Sequence, residues 1–288
     1  MGYELIVFAL FVLVGLIGSA IGFWLMMRKR AALRLFAEHN ALSYSRADVF
    51  NVLGRSGGIQ LLNAGHDRVV HDIVYGTHRG LSVCFFHFKY KTGSSSSGRS
   101  RDRTHRRNGL LVVAPISLPG HLYVRAENFL DSLGELSGVY DDIDFEHSSF
   151  NDKYYVKSDN KRMAYDFFGR DMIEFFYMLP RRICMEACGP HFVFHYNNKI
   201  PTKYYARMLD TATSVFGKLD DLTREKYGMS KDLERAFAKQ AEAIQKENDP
   251  LRKPDYEFDR SNPFKRKSSS NSKPEGTDSK DEGTFFGR

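Results

Sequence analysis

The sequence predicts an α+β protein: an N-terminal transmembrane helix, then a mainly antiparallel sheet with packed helices, then a disordered C-terminal tail. Three observations lead to this class. An uncharged apolar run covers residues 5–27, segments with alternating apolar residues come in adjacent pairs, and the helical segments stand apart from those pairs. Adjacent strands indicate antiparallel hairpins, whereas a doubly wound fold would alternate strands with helices.

The apolar run from Leu5 to Met27 is long enough to cross a bilayer. As a helix it measures about 35 Å, and the hydrocarbon core of a bilayer is about 30 Å thick. A cleaved signal peptide has a basic start, a shorter apolar stretch and small residues at its cleavage site. This chain begins Met-Gly-Tyr-Glu, and its run closes on bulky Phe23–Met27. The run is therefore predicted to be a permanent anchor.

The charges around the anchor predict its orientation. One acid, Glu4, precedes it, and four basic residues follow it: Arg28, Lys29, Arg30 and Arg34. Basic flanks stay on the cytoplasmic side, so the N-terminus is predicted outside and residues 28–288 inside. The opposite topology is the alternative. The odd number of cysteines agrees with a reducing compartment, since three thiols cannot form a set of pairs.

Small residues follow one face of the predicted anchor, namely Gly15, Gly18 and Gly22. Such a G-x-x-x-G pattern lets two membrane helices approach closely and pack. It predicts a helix dimer face and a homodimer. The alternative is that these glycines are only the ordinary content of a membrane helix.

The first half of the domain predicts one helix and four strands. The helix covers 30–42, either continuous with the anchor or separate from it, and a loop follows at 54–58. Period-two segments then predict strands at 68–76, 81–90, 110–114 and 121–125. A Ser- and Arg-rich loop at 93–109 separates the second strand from the third. A short helix is predicted at 127–136.

The second half begins after an acidic connection near 137–148, which could separate two halves of the domain. A strand is predicted at 150–158, helical turns at 161–168 and 171–179, and two strands at 183–188 and 191–196 around a Gly189-Pro190 turn. A long helix at 202–227 and a charged helix at 229–248 follow. Residues 249–288 are rich in Pro, Ser, Lys and Asp and are predicted to be disordered.

Two stretches resemble a known family. The first runs from Val74 to Tyr90 and reads VYGTHRGL followed by FFHFKY, and the second, FNDKYYVKSD, starts at Phe150 and precedes Ala164-Tyr165 and Met172-Ile173. Both are similar to an uncharacterised domain of unknown function in prokaryotic membrane-anchored proteins. The resemblance covers about residues 30–228. It implies a bacterial inner-membrane protein with one or two anchors and carries no activity.

A group of cysteines and histidines has the spacing C-x3-C-x2-H-x3-H: Cys184, Cys188, His191 and His195. On one strand Cys184 and Cys188 lie about 13 Å apart, too far to share a zinc ion. A Cys188–His191 nucleophile with Glu186 nearby is the enzymatic alternative. Cys84 lies between Val83 and Phe85 and is expected to be buried. No metal, cofactor or catalytic residue is predicted from these patterns.

Positive charge dominates the chain, with a net charge of +7 and a pI near 9.2. Beside a membrane, the first expected partner is the anionic headgroup layer of the bilayer. The predicted contact residues are Arg28, Lys29, Arg30, Arg99, Arg101, Arg103, Arg106 and Arg107. A polyanion held by the 99–107 loop is an alternative, but nucleic acid is disfavoured because the loop lacks interleaved aromatic residues.

Together these patterns predict a single-pass membrane protein whose cytoplasmic domain binds a protein partner or a lipid surface within an assembly. The rival is a membrane-tethered enzyme that uses Cys188 and His191.

Overall fold

The computed structural model of the chain describes residues 2–55, 57–93, 102–126, 140–180, 183–196 and 199–247. Helices in this part of the chain are α1 (Gly2–His39), α2 (Val52–Arg55), α3 (Gln60–Asn63), α4 (Ser148–Asn151), α5 (Lys161–Phe167), α6 (Arg170–Met178), α7 (Tyr205–Gly217), α8 (Asp221–Tyr227) and α9 (Lys231–Glu247). Strands are β1 (Ser43–Ser45), β2 (His66–His78), β3 (Leu81–Thr92), β4 (Arg103–Ala126), β5 (Asp141–Ile143), β6 (Tyr154–Ser158) and β7 (Cys184–His195).

These seven strands form one antiparallel sheet, so the predicted α+β class is confirmed. The order is β1-β2-β3-β4-β6-β5, and β7 also pairs with β4. The first half of β4 pairs with β3 and its last residues pair with β6, while β7 follows its other edge. Strands from both sides of residues 137–148 therefore belong to the same sheet.

The sheet is covered on both faces. On one face the helices α1, α5, α6 and α7 bury the larger core, which includes Leu33, Phe85, Phe192 and Phe194. On the other face residues 49–55 and 57–64, with α2 and α3, cover a smaller core that includes Phe50, Tyr75 and Phe86. Burial on both faces explains why the middle of β3 is apolar at successive positions instead of alternating.

Helix α1 is continuous from the apolar run into the domain. Its 38 residues span about 57 Å at 1.5 Å per residue, so it reaches well past a bilayer core. Its last turns bury Leu33 and Ala37. The ring of Phe36 contacts Phe85 and Tyr205 edge-on, with centroid distances of 5.3 and 5.6 Å. The helix that leaves the apolar run is thus fixed to the sheet by core packing.

Two of the predicted connections are wrong. The strands predicted at 110–114 and 121–125 are one strand, β4, whose pairing with β7 is irregular between Val113 and His121. Pro115 and Pro119 fall in that interval and have no N–H to donate to the ladder. The predicted Gly189-Pro190 turn lies inside β7, where Gly189 has φ +57° and stands opposite Leu118. Gly189-Pro190 is therefore an irregular position within β7, opposite the irregular part of β4.

The predicted loop at 93–109 is shorter than expected. Strand β3 pairs with β4 as far as Thr92 opposite Arg103, so Arg103, Arg106 and Arg107 lie on a strand. The predicted helix at 127–136, the disordered tail at 249–288, Arg99 and Arg101 all lie outside the described residues.

Candidate functional site

A small cavity lies where α1 leaves its apolar run. Its volume is about 250 Å³, and Met26, in the last apolar turn, forms part of its wall. The strands β2, β3 and β4 and the segment before α7 form the rest. Because α1 is continuous and packed on the sheet, the cavity has a fixed position relative to the apolar run. We call it the exit pocket.

Among the residues that the structure describes, five cationic side chains line the exit pocket: Lys29, Arg30, Arg106, Arg107 and Lys199. Asp72 is the acid in its lining. Lys29 and Lys199 come from distant parts of the sequence, yet they lie close enough for their ammonium groups to repel one another. This excess of positive charge gives the pocket the electrostatic character of an anion-binding site.

Asp72 holds one of these cations in place. It sits at an irregularity in the β2–β3 pairing with φ +50°, which turns its carboxylate towards α1. Tyr44 donates its hydroxyl to Oδ1 at 2.7 Å, His71 donates from Nδ1 to Oδ2 at 3.1 Å, and Arg30 Nε lies 3.4 Å from Oδ1. Burial raises the pKa of Asp72, but these hydrogen bonds and the Arg30 charge outweigh it and lower the pKa. The carboxylate is therefore ionised.

His87 belongs to a buried network that fixes the floor of the pocket. Its Nδ1 lies 3.0 Å from the backbone oxygen of Asp72, which can only accept, so Nδ1 carries the proton. Its Nε2 then accepts from the Tyr205 hydroxyl at 3.2 Å, and that oxygen accepts from Asn108 at 2.9 Å. Asn108 also bonds both backbone groups of Ile200, which places the neighbouring Lys199 beside the pocket.

The pocket also brings together three residues of types that bind metals, His71, Asp72 and His87, whose ligating atoms lie within 4.8 Å of one another. Their hydrogen bonds argue against a metal. Both nitrogens of His87 are engaged, and both oxygens of Asp72 accept from protein donors. The five surrounding cations would also repel a divalent ion. The arrangement suits an anion instead.

The predicted contact residues divide into three groups. Lys29, Arg30, Arg106 and Arg107 line the exit pocket. Arg28 lies over the ring of Trp24 at 5.4 Å, and Arg103 stands opposite Thr92 at the far end of β4. Arg99 and Arg101 are outside the described residues. Sequence reasoning missed Lys199 and Asp72, because an isolated lysine and a polar residue within a strand gave no local signal.

The Cys188–His191 pair of the enzymatic alternative is not brought together in the structure. In β7, Cys188 stands opposite His121 of β4, whereas His191 stands opposite Val113. That alternative relied on a hairpin turn at Gly189-Pro190, whereas β7 continues through Gly189. Glu186 is buried and accepts a hydrogen bond from the backbone N–H of Leu61 at 3.0 Å, so it holds α3 against the sheet.

The glycines of the predicted dimer face, Gly15, Gly18 and Gly22, lie on the exposed part of α1. A Cβ atom added at any of them would meet nothing within 4 Å in the described chain. The face is open, and self-association through it stays a prediction.

Helix α1 is the helix in the described chain that is long and apolar enough to cross a membrane. The chain is thus an α+β domain, with helices on its sheet, that follows a helix long and apolar enough to span a membrane, and a basic pocket lies at the end of the apolar run.

No protein-family model matches the sequence, and the comparison with curated proteins finds no match. Among solved structures, the chain is similar to the crystal structure of the mycobacterial trehalose monomycolate transport factor A, TtfA. The sequence identity is 14% and the TM-score is 0.46, and the match covers 68% of this chain and 93% of that chain. A likeness at this level carries no inference about activity.

Proposed function

We propose that this protein is a single-pass inner-membrane protein whose cytoplasmic domain binds the phosphate-bearing headgroups of anionic lipids in the exit pocket. The observation that supports this most directly is the position of five cations around one carboxylate, immediately beyond the last apolar turn of α1. The proposal includes a homodimer through the anchor and an assembly with a further protein.

Location favours a lipid headgroup over other anions. Met26 borders the cavity and Lys29 and Arg30 follow within one turn, so the cavity lies at the depth where headgroups meet a transmembrane helix. Each cation near an anionic membrane surface contributes about 1 kcal/mol. An anion between Lys29 and Lys199 would also relieve the repulsion between their ammonium groups.

Size favours a single phosphate group over a polymer. A cavity of about 250 Å³ is slightly smaller than the usual small-molecule pocket of about 300–1,000 Å³. It can surround one headgroup phosphate, whereas nucleic acid needs an extended basic stripe or groove.

The test uses the full-length chain in zwitterionic detergent, titrated with short-chain phosphatidylglycerol and followed by calorimetry. The double variant Lys29→Gln/Lys199→Gln should weaken binding about twentyfold or more, since each removed charge is worth about fivefold. The matched control is Lys203→Gln/Lys218→Gln, which removes two exposed lysines outside the pocket. It should bind as the wild type does.

Short-chain phosphatidylcholine is the second control and should bind weakly to all three proteins. Equal affinity of the wild type and Lys29→Gln/Lys199→Gln for phosphatidylglycerol would contradict the proposal. Weakening by both double variants to the same extent would also contradict it, because it would show attraction by net charge without a specific pocket.

A further inference from the structure

Cys188 faces a histidine that sequence reasoning did not connect with it. The two strands β4 and β7 place His121 directly opposite Cys188. A Cβ atom added to Gly58 would lie 2.4 Å from His121 Nε2 and 2.7 Å from Cys188 Sγ. Both atoms therefore lie against the same side of Gly58, where a side chain would not fit.

Asp159 fixes the orientation of His121. Its Oδ1 accepts the backbone N–H of His121 at 2.8 Å, and its Oδ2 lies 3.0 Å from Nδ1. A carboxylate oxygen accepts, so Nδ1 carries the proton and Nε2 keeps its lone pair, on the side of the ring where Cys188 Sγ and Nε2 both lie against Gly58. Asp159 itself packs against Gly120, where an added Cβ would lie 2.3 Å from Oδ1.

Hydrogen bonds of the two residues that flank Asp159 fix its position beside His121. Ser158 Oγ donates to the backbone oxygen of His121 at 2.8 Å, and Asn160 caps α5 by accepting from Met163 N–H. Asp159 lies between these two residues. The side chains of His121 and Asp159 are 27% and 38% exposed, and Cys188 is half-buried, so reagents can reach the group.

We propose that Cys188, His121 and Asp159 form a nucleophilic thiol site that accepts acyl groups from activated esters and thioesters. Cys188 is the nucleophile, His121 is the base beside it, and Asp159 is the carboxylate that orients the base, which is the set of roles that acyl-transfer sites use. His121 Nε2 takes the thiol proton while Sγ bonds to the acyl carbon. The bond from that carbon to the leaving oxygen or sulfur breaks, and the leaving group receives the proton from His121. The product is an S-acyl-Cys188 thioester, and no oxidant or reductant is needed.

The base is required for this chemistry. Burial, and then the charge of Asp159, raise the pKa of the Cys188 thiol, so the resting thiol keeps its proton. The other thiols cannot substitute for it, because Cys84 and Cys184 are 0% and 1% exposed. The site is separate from the exit pocket and shares no lining residue with it.

The test is acetylation of the full-length chain by p-nitrophenyl acetate, followed by release of p-nitrophenolate and peptide mass spectrometry. We expect a burst of one equivalent per chain and an acetyl group on Cys188. Cys188→Ser should abolish this S-acetylation, and the matched control Cys184→Ser should keep it. His121→Asn should slow the burst by about a hundredfold, as expected for loss of a general base.

Asp159→Asn tests positioning by its effect on the pH profile. The burst rate of the wild type should depend on pH, and the pH profiles of His121→Asn and Asp159→Asn should both differ from it. Far-UV circular dichroism and thermal unfolding establish that each variant folds. Acetyl groups on Cys84, Cys184 or lysines in place of Cys188 would overturn the proposal, as would a wild-type burst rate in a folded His121→Asn variant.

Discussion

At the residue scale, the exit pocket combines side chains that the sequence revealed with side chains that it hid. Lys29, Arg30, Arg106 and Arg107 stand in visible basic clusters and were predicted to contact anions. Asp72 and Lys199 belong to the site only because β2, β3 and the segment before α7 meet there. Clustered charge can be read from a sequence, whereas isolated residues join a site through tertiary contacts that have no local signature.

The buried His87 should make the stability of the domain depend on pH. Burial above all, and then the charge of Lys29, lower its pKa to about 4. An unfolded histidine has a pKa of about 6.5, so between these values the unfolded chain binds a proton that the folded chain does not. The stability due to neutral His87 is complete above about pH 6.5 and is lost as the pH falls towards 4.

We therefore expect the free energy of unfolding of His87→Gln to fall less steeply than that of the wild type between about pH 6.5 and 4.5. The difference in slope should approach about 1.4 kcal/mol per pH unit. Urea unfolding of the full chain in detergent, followed by circular dichroism, measures it. The control is His66→Gln, which replaces a histidine that is 49% exposed and outside the buried network of His87. Parallel curves for His87→Gln and the wild type would show that His87 is not held neutral.

At the element scale, local patterns identified most strands but not the way they continue. The strands predicted at 68–76 and 81–90 appear as β2 and β3 with small changes at their ends. Gly189-Pro190 has turn chemistry, yet β7 passes through it, because pairing with the irregular part of β4 makes it a bend within the strand. The local sequence shows residues that are typical of a turn, but whether they form a turn or a bend within a strand depends on the partner strand, which lies far away in the sequence.

Gly189 should be required in this bend. Its φ of +57° is costly for a residue with a Cβ, so Gly189→Ala should destabilise the domain by about 1–2 kcal/mol. The matched control is Gly217→Ala at the end of α7, where an added Cβ meets nothing within 4 Å. There the change should be neutral or stabilise by up to about 1 kcal/mol. Urea unfolding of both variants decides this, and equal effects would contradict the role given to Gly189.

The predicted anchor is also expected to self-associate through its glycines. Gly18→Leu/Gly22→Leu should weaken dimerisation in membranes about tenfold, because bulky side chains separate the helix backbones. Ala20→Leu is the matched control, since at 100° per residue it lies on the opposite side of the helix. Chemical crosslinking in native membranes, read as the dimer fraction, measures the effect. A dimer that survives the glycine substitutions unchanged would place the contact elsewhere.

At the scale of the whole molecule, the charges after the apolar run and the position of the exit pocket together predict on which side of a membrane the domain lies. Basic residues follow the apolar run and the pocket opens beside them, so both would lie on the same side of a bilayer that the run crosses. The cytoplasmic leaflet carries the negative surface potential that would supply anionic headgroups. A domain on the opposite side would place its basic flank against the rule for membrane insertion.

This argument predicts that the C-terminus lies in the cytoplasm. Green fluorescent protein fused to the C-terminus should fluoresce in bacterial cells, and alkaline phosphatase fused there should be inactive, since each reporter works on one side only. Moving the charge should invert the result: Arg28→Glu/Lys29→Glu/Arg30→Glu combined with Gly2→Lys/Tyr3→Lys reverses the bias across the apolar run. Active phosphatase on the unaltered chain would show the opposite topology, and headgroup binding by the exit pocket would then concern the outer leaflet.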